Sequence, residues 1–151
     1  MIKLNNKAPV FKVPSTGNKE YSLNDSHGKY VVLYFYPKDD TPGCTIETKD
    51  FNTLLPKFKK LNCEIYGISK DDLKSHNKFK EKYKVKFNLL ADEEKKIIKD
   101  YKVWGKKKFM GKEFMGIIRT TFVLGENKKI EKIVNKVKTK DHAQQIMDLY
   151  K

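Results

Sequence analysis

Among the side chains of this 151-residue sequence, Cys44 stands in the setting that most favours nucleophilic chemistry. It lies in PKDDTPGCT, where Thr41 can cap a helix and Pro42 can open it, because a fixed φ and a missing N–H suit the first turn. Cys44 then falls at the third helical position, among N–H groups that have no intrahelical acceptor. The partial positive charge of a helix start favours thiolate over thiol. Gly43 and Cys44 itself supply N–H donors there, and Thr41 adds a hydroxyl from the same turn. Asp39, Asp40 and Glu47 oppose a further negative charge, so a fixed cation is required. The sole arginine, Arg119, is the economical candidate. Glu47, one helical turn after Cys44, can hold its guanidinium in a bidentate pair. Such an assembly suits attack of a thiolate on a weak O–O bond, where donors aimed at the leaving oxygen stabilise its growing charge. From the residues alone, a buried structural cysteine remains an equal alternative.

The elements around this stretch must hold it in place. Val31 to Tyr36 is an apolar run of the kind that makes a buried strand, here expected over Lys29 to Tyr36, and Pro37 ends it for want of an N–H. After the Cys44 turn, Phe51, Leu54, Leu55 and Phe58 recur at helical spacing, with a kink expected at Pro56. Upstream, residues 8–23 predict a small hairpin turning at residues 15–18. Downstream come a strand over Cys63–Ser69, a helix over Asp71–Tyr83, a strand over Asn88–Ala91 and a helix over Asp92–Tyr101 facing Ile97, Ile98 and Tyr101 inward. Trp104–Gly116 predicts a loop or a twisted hairpin. Strands over Thr120–Leu124 and Ile130–Val134 follow, joined by the turn GENKK. A last helix starts at Thr139 or Asp141 and buries Ala143, Ile146, Met147 and Tyr150. This order predicts an α/β fold in one domain over residues 1–151, a central mixed sheet with helices on both faces. Arg119, in GIIRTTFVL, enters a strand that can lie beside the Cys44 turn.

The sequence resembles the peroxiredoxins through Pro37, Thr41 and Cys44, which match the family's proline, threonine and peroxidatic cysteine. TPGCT, Glu47 and Asp50–Phe51, then LLPKF, YGIS, LLAD and VWGKKKFMGKEFMGIIRTTFVL, resemble the bacterioferritin-comigratory (PrxQ) branch over nearly the whole chain. The resemblance implies a thioredoxin-like fold and thiol-dependent reduction of hydrogen peroxide and organic hydroperoxides. It implies that Cys44 becomes a sulfenic acid, that Arg119 is the active-site arginine, and that the first helix partly unfolds to expose the sulfur. Many members of the branch carry a resolving cysteine five residues after the peroxidatic one; here that residue is Lys49. The expectation is therefore a one-cysteine cycle completed by an external thiol such as thioredoxin, glutaredoxin or a small thiol. The alternative is a two-cysteine cycle in which Cys63 resolves, which requires the first helix to unwind until the two α-carbons come within about 7 Å.

Other features bound the function. The formal charge of +14 comes from 32 lysines and one arginine. Lysines spread through the chain point to a solvated surface rather than a nucleic-acid reader, which spends arginine on bidentate contacts. Two cysteines make no disulfide framework, the start lacks an apolar signal core, and the longest apolar runs are about six residues. A monomeric protein of the cytoplasm is expected, needing no cofactor and no metal. His27, His76 and His142 have no partner at metal-ligand spacing and are expected to be surface or structural. Trp104, Phe109 and Phe114 are expected to cover the core, the alternative being a lining for the peroxide entrance, which Tyr36 can also border. Lys106–Lys108 is expected to be a solvated turn. Two rival functions remain: a thiol–disulfide oxidoreductase, which lacks its C-x-x-C pair because residue 41 is Thr41, and a basic binding protein in which Cys44 is incidental.

Overall fold

The structure is a computed structural model and describes residues 2–17, 19–26, 28–134 and 142–148. Its strands are β1 (Lys12–Ser15), β2 (Lys19–Ser22), β3 (Tyr30–Phe35), β4 (Cys63–Ser69), β5 (Asn88–Ala91), β6 (Trp104–Phe109), β7 (Lys112–Ile117), β8 (Thr120–Leu124) and β9 (Ile130–Val134). Its helices are α1 (Pro42–Lys60), α2 (Leu73–Lys82), α3 (Lys96–Asp100) and α4 (His142–Asp148). Seven strands form one mixed sheet in the order β2-β1-β5-β4-β3-β8-β9. Its centre is parallel, β3 beside β4 and β4 beside β5, whereas β8 runs antiparallel to β3.

β3 shows how the sequence builds two cores from one sheet. Successive strand residues point to opposite faces. Val31, Leu33 and Phe35 join the cluster that contains Phe11, Ile97, Ile98, Tyr101 and Phe122, while Val32, Tyr34 and Tyr36 join the one formed with Phe51, Phe58, Phe79 and Ile146. α1, α2 and α4 thus cover one face, and α3 with Phe11 and Leu23, on either side of the N-terminal hairpin, covers the other. A continuous apolar run is what a strand buried on both faces requires.

The expected elements are found, with corrections among the described residues. α3 begins at Lys96 rather than at Asp92. Lys95 is left-handed (φ 62°), and the Asp92 carboxylate accepts the Ile98 N–H at 2.8 Å, so the preceding residues form a turn. Lys106–Lys108 is not a turn. It lies in β6, which pairs with β7 as a separate two-stranded sheet, so of the two readings of Trp104–Gly116 the hairpin is the one found. Its turn is Met110–Gly111, with φ of 52° and 80°, the positive pair that a tight hairpin requires. Phe114 is 46% exposed in β7 and does not cover the core. Trp104 packs against the first cluster, its ring flanked by the ammonium groups of Lys70 and Lys95. α1 runs unbroken through Pro56, its inner face Phe51, Leu55 and Phe58 outweighing one lost backbone hydrogen bond. The start expected for the last helix, Tyr150, His27 and the side chains of Phe109 and His142 lie outside the described residues.

Candidate functional site

The sheet stops at Tyr36, whose N–H donates to the Ile68 carbonyl at 3.1 Å. Half-buried Pro37 cannot continue the ladder, and the chain turns through Lys38–Asp40 into α1. Asp40 takes a left-handed conformation, φ 56°, which short polar side chains tolerate. Thr41 has the extended backbone of an N-cap, but its hydroxyl donates to the Lys38 carbonyl at 2.8 Å and caps nothing. The expected cap therefore holds for the backbone alone, and the hydroxyl closes the turn upon itself. Gly43 and Cys44 follow in the first turn of α1, where their N–H groups precede the helical ladder.

Register explains why Arg119 meets this turn. Thr120 pairs with Phe35 across the antiparallel β3–β8 ladder, so the residue before β8 lies beside the turn that follows β3. Arg119 Nη2 donates to Cys44 Sγ at 3.3 Å, and its Nη1 donates to Glu47 Oε1 at 2.8 Å. The guanidinium fork is divided between sulfur and carboxylate, whereas the sequence predicted both arms on the carboxylate. Cys44 is 1% exposed, but the Arg119 side chain keeps 21% of its surface in solvent, so the donor fork lies at the edge of the site.

The acidic residues expected to oppose a thiolate are each engaged. Asp40 accepts from Lys82 Nζ at 2.7 Å and from the Tyr83 hydroxyl at 2.6 Å, on the exposed side of the turn. Asp39 is buried against His76, and Glu47 is held by Arg119. Burial pulls the Arg119 guanidinium down, but Cys44 and then Glu47 outweigh it and hold it above its ordinary value. Burial also pushes the Glu47 carboxyl up to about 7, with Arg119 offsetting part of the rise. The folded protein thus holds this proton more tightly than the unfolded chain. The associated stability is complete below about pH 4.5 and is lost as pH rises through about 7. Urea midpoints of wild type and Glu47→Gln, whose side chain does not titrate, are expected to shift in favour of the variant between about pH 5 and about pH 8. Midpoints that move in parallel would remove Glu47 from that balance.

Two participants were not legible in the sequence. Lys107 in β6 donates to the Ile117 carbonyl at 2.9 Å. Burial and the neighbouring Arg119 lower its ammonium while Cys44 pulls it up, so a second cation belongs to this electrostatic neighbourhood. Only the β6–β7 register brings it there. His76 is fully buried rather than isolated, with Nδ1 2.6 Å from Asp39 Oδ2 and Nε2 2.9 Å from the Leu90 carbonyl. Its spacing of three residues from inward-facing Phe79 on α2 was the available signal. Tyr36 is also fully buried, its hydroxyl donating to Asp39 Oδ1 at 2.5 Å, so it does not border an opening. Asp39, Asp71 and His76 present potential metal-ligating atoms within 4.8 Å of one another, but those atoms are already used in hydrogen bonds.

Cys63 stands at the other end of α1. From Cys44 to Lys60 the helix rises roughly 24 Å, and the parallel ladder sets Cys63 opposite Tyr30, at the far end of β3 from the turn. Burial, with a smaller push from Glu64, raises its thiol to about 12. It lines a cavity of about 260 Å³ with Leu55, Asn62 and Phe87. Lys49 is exposed on α1, its ammonium 5.7 Å from the centre of the Tyr83 ring.

With this geometry in place, likenesses to known proteins become informative. The AhpC/TSA family profile matches residues 4–133. The putative peroxiredoxin bcp of Helicobacter pylori strain J99 is 44% identical over 147 residues, covering 97% of each chain. Among solved structures, the bacterioferritin comigratory protein of Xanthomonas campestris superposes with a TM-score of 0.86 at 36% identity, over 92% of this chain and 88% of the other. It was described for its alkyl peroxide reduction activity. A cysteine-to-serine variant of Xylella fastidiosa PrxQ superposes with a TM-score of 0.93 at 30% identity, covering 99% and 96%.

Proposed function

The chain belongs to the AhpC/TSA family, as a peroxiredoxin of the bacterioferritin-comigratory branch, and from that premise we propose that Cys44 is its peroxide-reducing residue in a one-cysteine cycle. The protein is a thiol-dependent peroxidase. The observation that carries the assignment is the Arg119 fork, with one arm on Cys44 Sγ and the other on Glu47. In the first step the Cys44 thiolate attacks the terminal oxygen of a hydroperoxide, alkyl hydroperoxides included. An S–O bond forms and the O–O bond breaks, sulfur is oxidised to the sulfenic acid, and the departing alkoxide takes a proton to become an alcohol. Arg119 and the first-turn N–H groups of Gly43 and Cys44 stabilise the charge that grows on the leaving oxygen. Pro37 ends β3 at the height that sets the turn, Thr41 closes the turn, and Glu47 fixes the guanidinium.

In the second step an external thiol bonds to the Cys44 sulfur and releases water. A further thiol then frees Cys44 and leaves with the first as a disulfide. Thioredoxin, glutaredoxin and small thiols all supply that chemistry. No helix among the described residues is long and apolar enough to cross a membrane, and two free cysteines suit a reducing compartment. We place the reaction in the cytoplasm, carried out by a monomer.

Cys63 takes no part in this cycle, because the length of α1 separates it from Cys44 and its thiol stays protonated at neutral pH. Cys63→Ser is therefore expected to retain peroxidase turnover with external thiols to within about twofold, since the change conserves volume at a site away from the reaction. Intact-mass measurement of the wild type after one equivalent of peroxide is expected to show one added oxygen on Cys44. Loss of two hydrogens, with turnover abolished in Cys63→Ser, would make Cys63 the resolving residue instead.

A further inference from the structure

The turn that carries Cys44 is tied to the rest of the protein through one buried residue. Asp39, five residues before Cys44, has a side chain that is 2% exposed. Its Oδ1 accepts from the Tyr36 hydroxyl, and its Oδ2 accepts from Ser75 Oγ at 2.8 Å and faces His76 Nδ1 at 2.6 Å. Its backbone N–H donates to Asp71 Oδ2 at 2.9 Å, an oxygen that also accepts from Ser69 Oγ. His76 continues the chain of contacts. Its Nε2 faces the Leu90 carbonyl, which can only accept, so Nε2 carries a hydrogen and Nδ1 is the ring atom left to face Asp39. One residue of the turn is thus joined to the ends of β3 and β4, to the first turn of α2 and, through His76, to β5. Among the described residues, the other side-chain hydrogen bonds of Lys38–Thr41 are exposed or internal to the turn.

The two halves of the cycle place opposite demands on this turn. A peroxide needs Cys44 seated on Arg119. A reductant must bring its own sulfur into bonding distance of a sulfur atom whose residue is 1% exposed, and no thiol carrier approaches that closely while the turn stays closed. The turn must therefore open between the two steps, and the Asp39 contacts are the buried side-chain ties that hold it closed. We propose that Asp39 and His76 form a latch, a positioning pair that seats the Cys44 turn for peroxide attack and sets how often it opens to the reductant. This rests on Cys44 forming a sulfenic acid that an external thiol reduces, as assigned above.

Population arithmetic gives the latch a signature. If the closed form dominates, a tenfold shift toward the open form multiplies the small open fraction about tenfold and scarcely lowers the closed one. His76→Gln keeps a donor for the Leu90 carbonyl but withdraws the ring nitrogen that faces Asp39. In that variant, reduction of the Cys44 sulfenic acid by dithiothreitol is expected to accelerate about tenfold, as is its capture by dimedone. The rate constant for peroxide attack is expected to fall by less than about twofold. His76→Asn, which places an amide donor near the Nδ1 position, is expected to restore rates close to wild type. A purely structural histidine would lower both half-reactions together, and that result, or an unchanged thiol step in a folded His76→Gln protein, overturns the latch. Asp39→Asn carries the same two rate tests should His76→Gln not fold. Failure of the underlying assignment looks different: the wild type itself would then form no dimedone adduct on Cys44.

Discussion

Peroxide consumption with a supplied thiol is expected to vanish in Cys44→Ser, falling by more than roughly three orders of magnitude to the rate of the thiol alone. A serine hydroxyl is almost wholly protonated at neutral pH, and its oxygen attacks O–O bonds poorly even when ionised. Nothing else at the site can take over the step. Cys63 lies beyond the far end of α1 with its thiol raised to about 12, and Arg119 and Lys107 carry charge rather than a reactive lone pair. The loss would not come from unfolding. Serine is close to cysteine in volume, and its oxygen can accept from Arg119 Nη2 where Sγ does now, so the urea midpoint should move by no more than about 1 kcal/mol equivalent. Measuring midpoint and turnover on one preparation separates the two causes. A Cys44→Ser protein that kept full turnover would overturn the assignment of Cys44 and return weight to a basic binding protein in which the cysteine is incidental.

What the sequence made legible was whatever a buried apolar face imposes. β4, β5, β8 and β9 carry apolar residues at the positions that a buried face requires and are bounded by polar turns. The β6–β7 hairpin was ambiguous for the complementary reason. Much of both strands is exposed, so no buried face writes an alternation into the sequence, and only Met110–Gly111 marks the turn. α3 was drawn too long because its opening residues are held by the Asp92 side chain, and hydrophobic spacing carries no record of that contact. In the site, Arg119 and Glu47 could be paired by a charge argument, since a thiolate among carboxylates needs a cation and the chain has one arginine. By charge alone Asp39 and Asp40 oppose the thiolate, because no pattern in the sequence reveals their partners. Asp39 meets a histidine 37 residues away, and Asp40 meets a lysine and a tyrosine more than 40 residues away, which only the packing of α2 against the turn brings together.

Arg119→Lys retains the charge and is nonetheless expected to lose 10²–10³-fold in the rate constant for peroxide attack, about 3–4 kcal/mol of transition-state stabilisation. The reason is geometric. The guanidinium serves Glu47 with one nitrogen and the Cys44 sulfur with another, and these lie on a rigid planar fork that also reaches solvent. An ammonium is a single point of charge on a flexible stem. On Glu47 it leaves the sulfur and the leaving oxygen without their donor, and on the sulfur it abandons a fully buried carboxylate. Either way one buried group loses its Arg119 donor, which is why a variant that preserves the charge is not expected to preserve function. Lys107 does not replace the fork, since its ammonium is another single point of charge, held at the Ile117 carbonyl. The experiment is single-turnover oxidation of Cys44 by an alkyl hydroperoxide, followed separately from reduction by dithiothreitol. The defect should fall on oxidation, where charge develops on the leaving oxygen, and should leave the reduction of preformed sulfenic acid within a few-fold of wild type. Equal loss in both steps would point to a disturbed turn instead of a missing donor. Unchanged oxidation would remove Arg119 from the chemistry and leave the helix start alone to stabilise the departing oxygen.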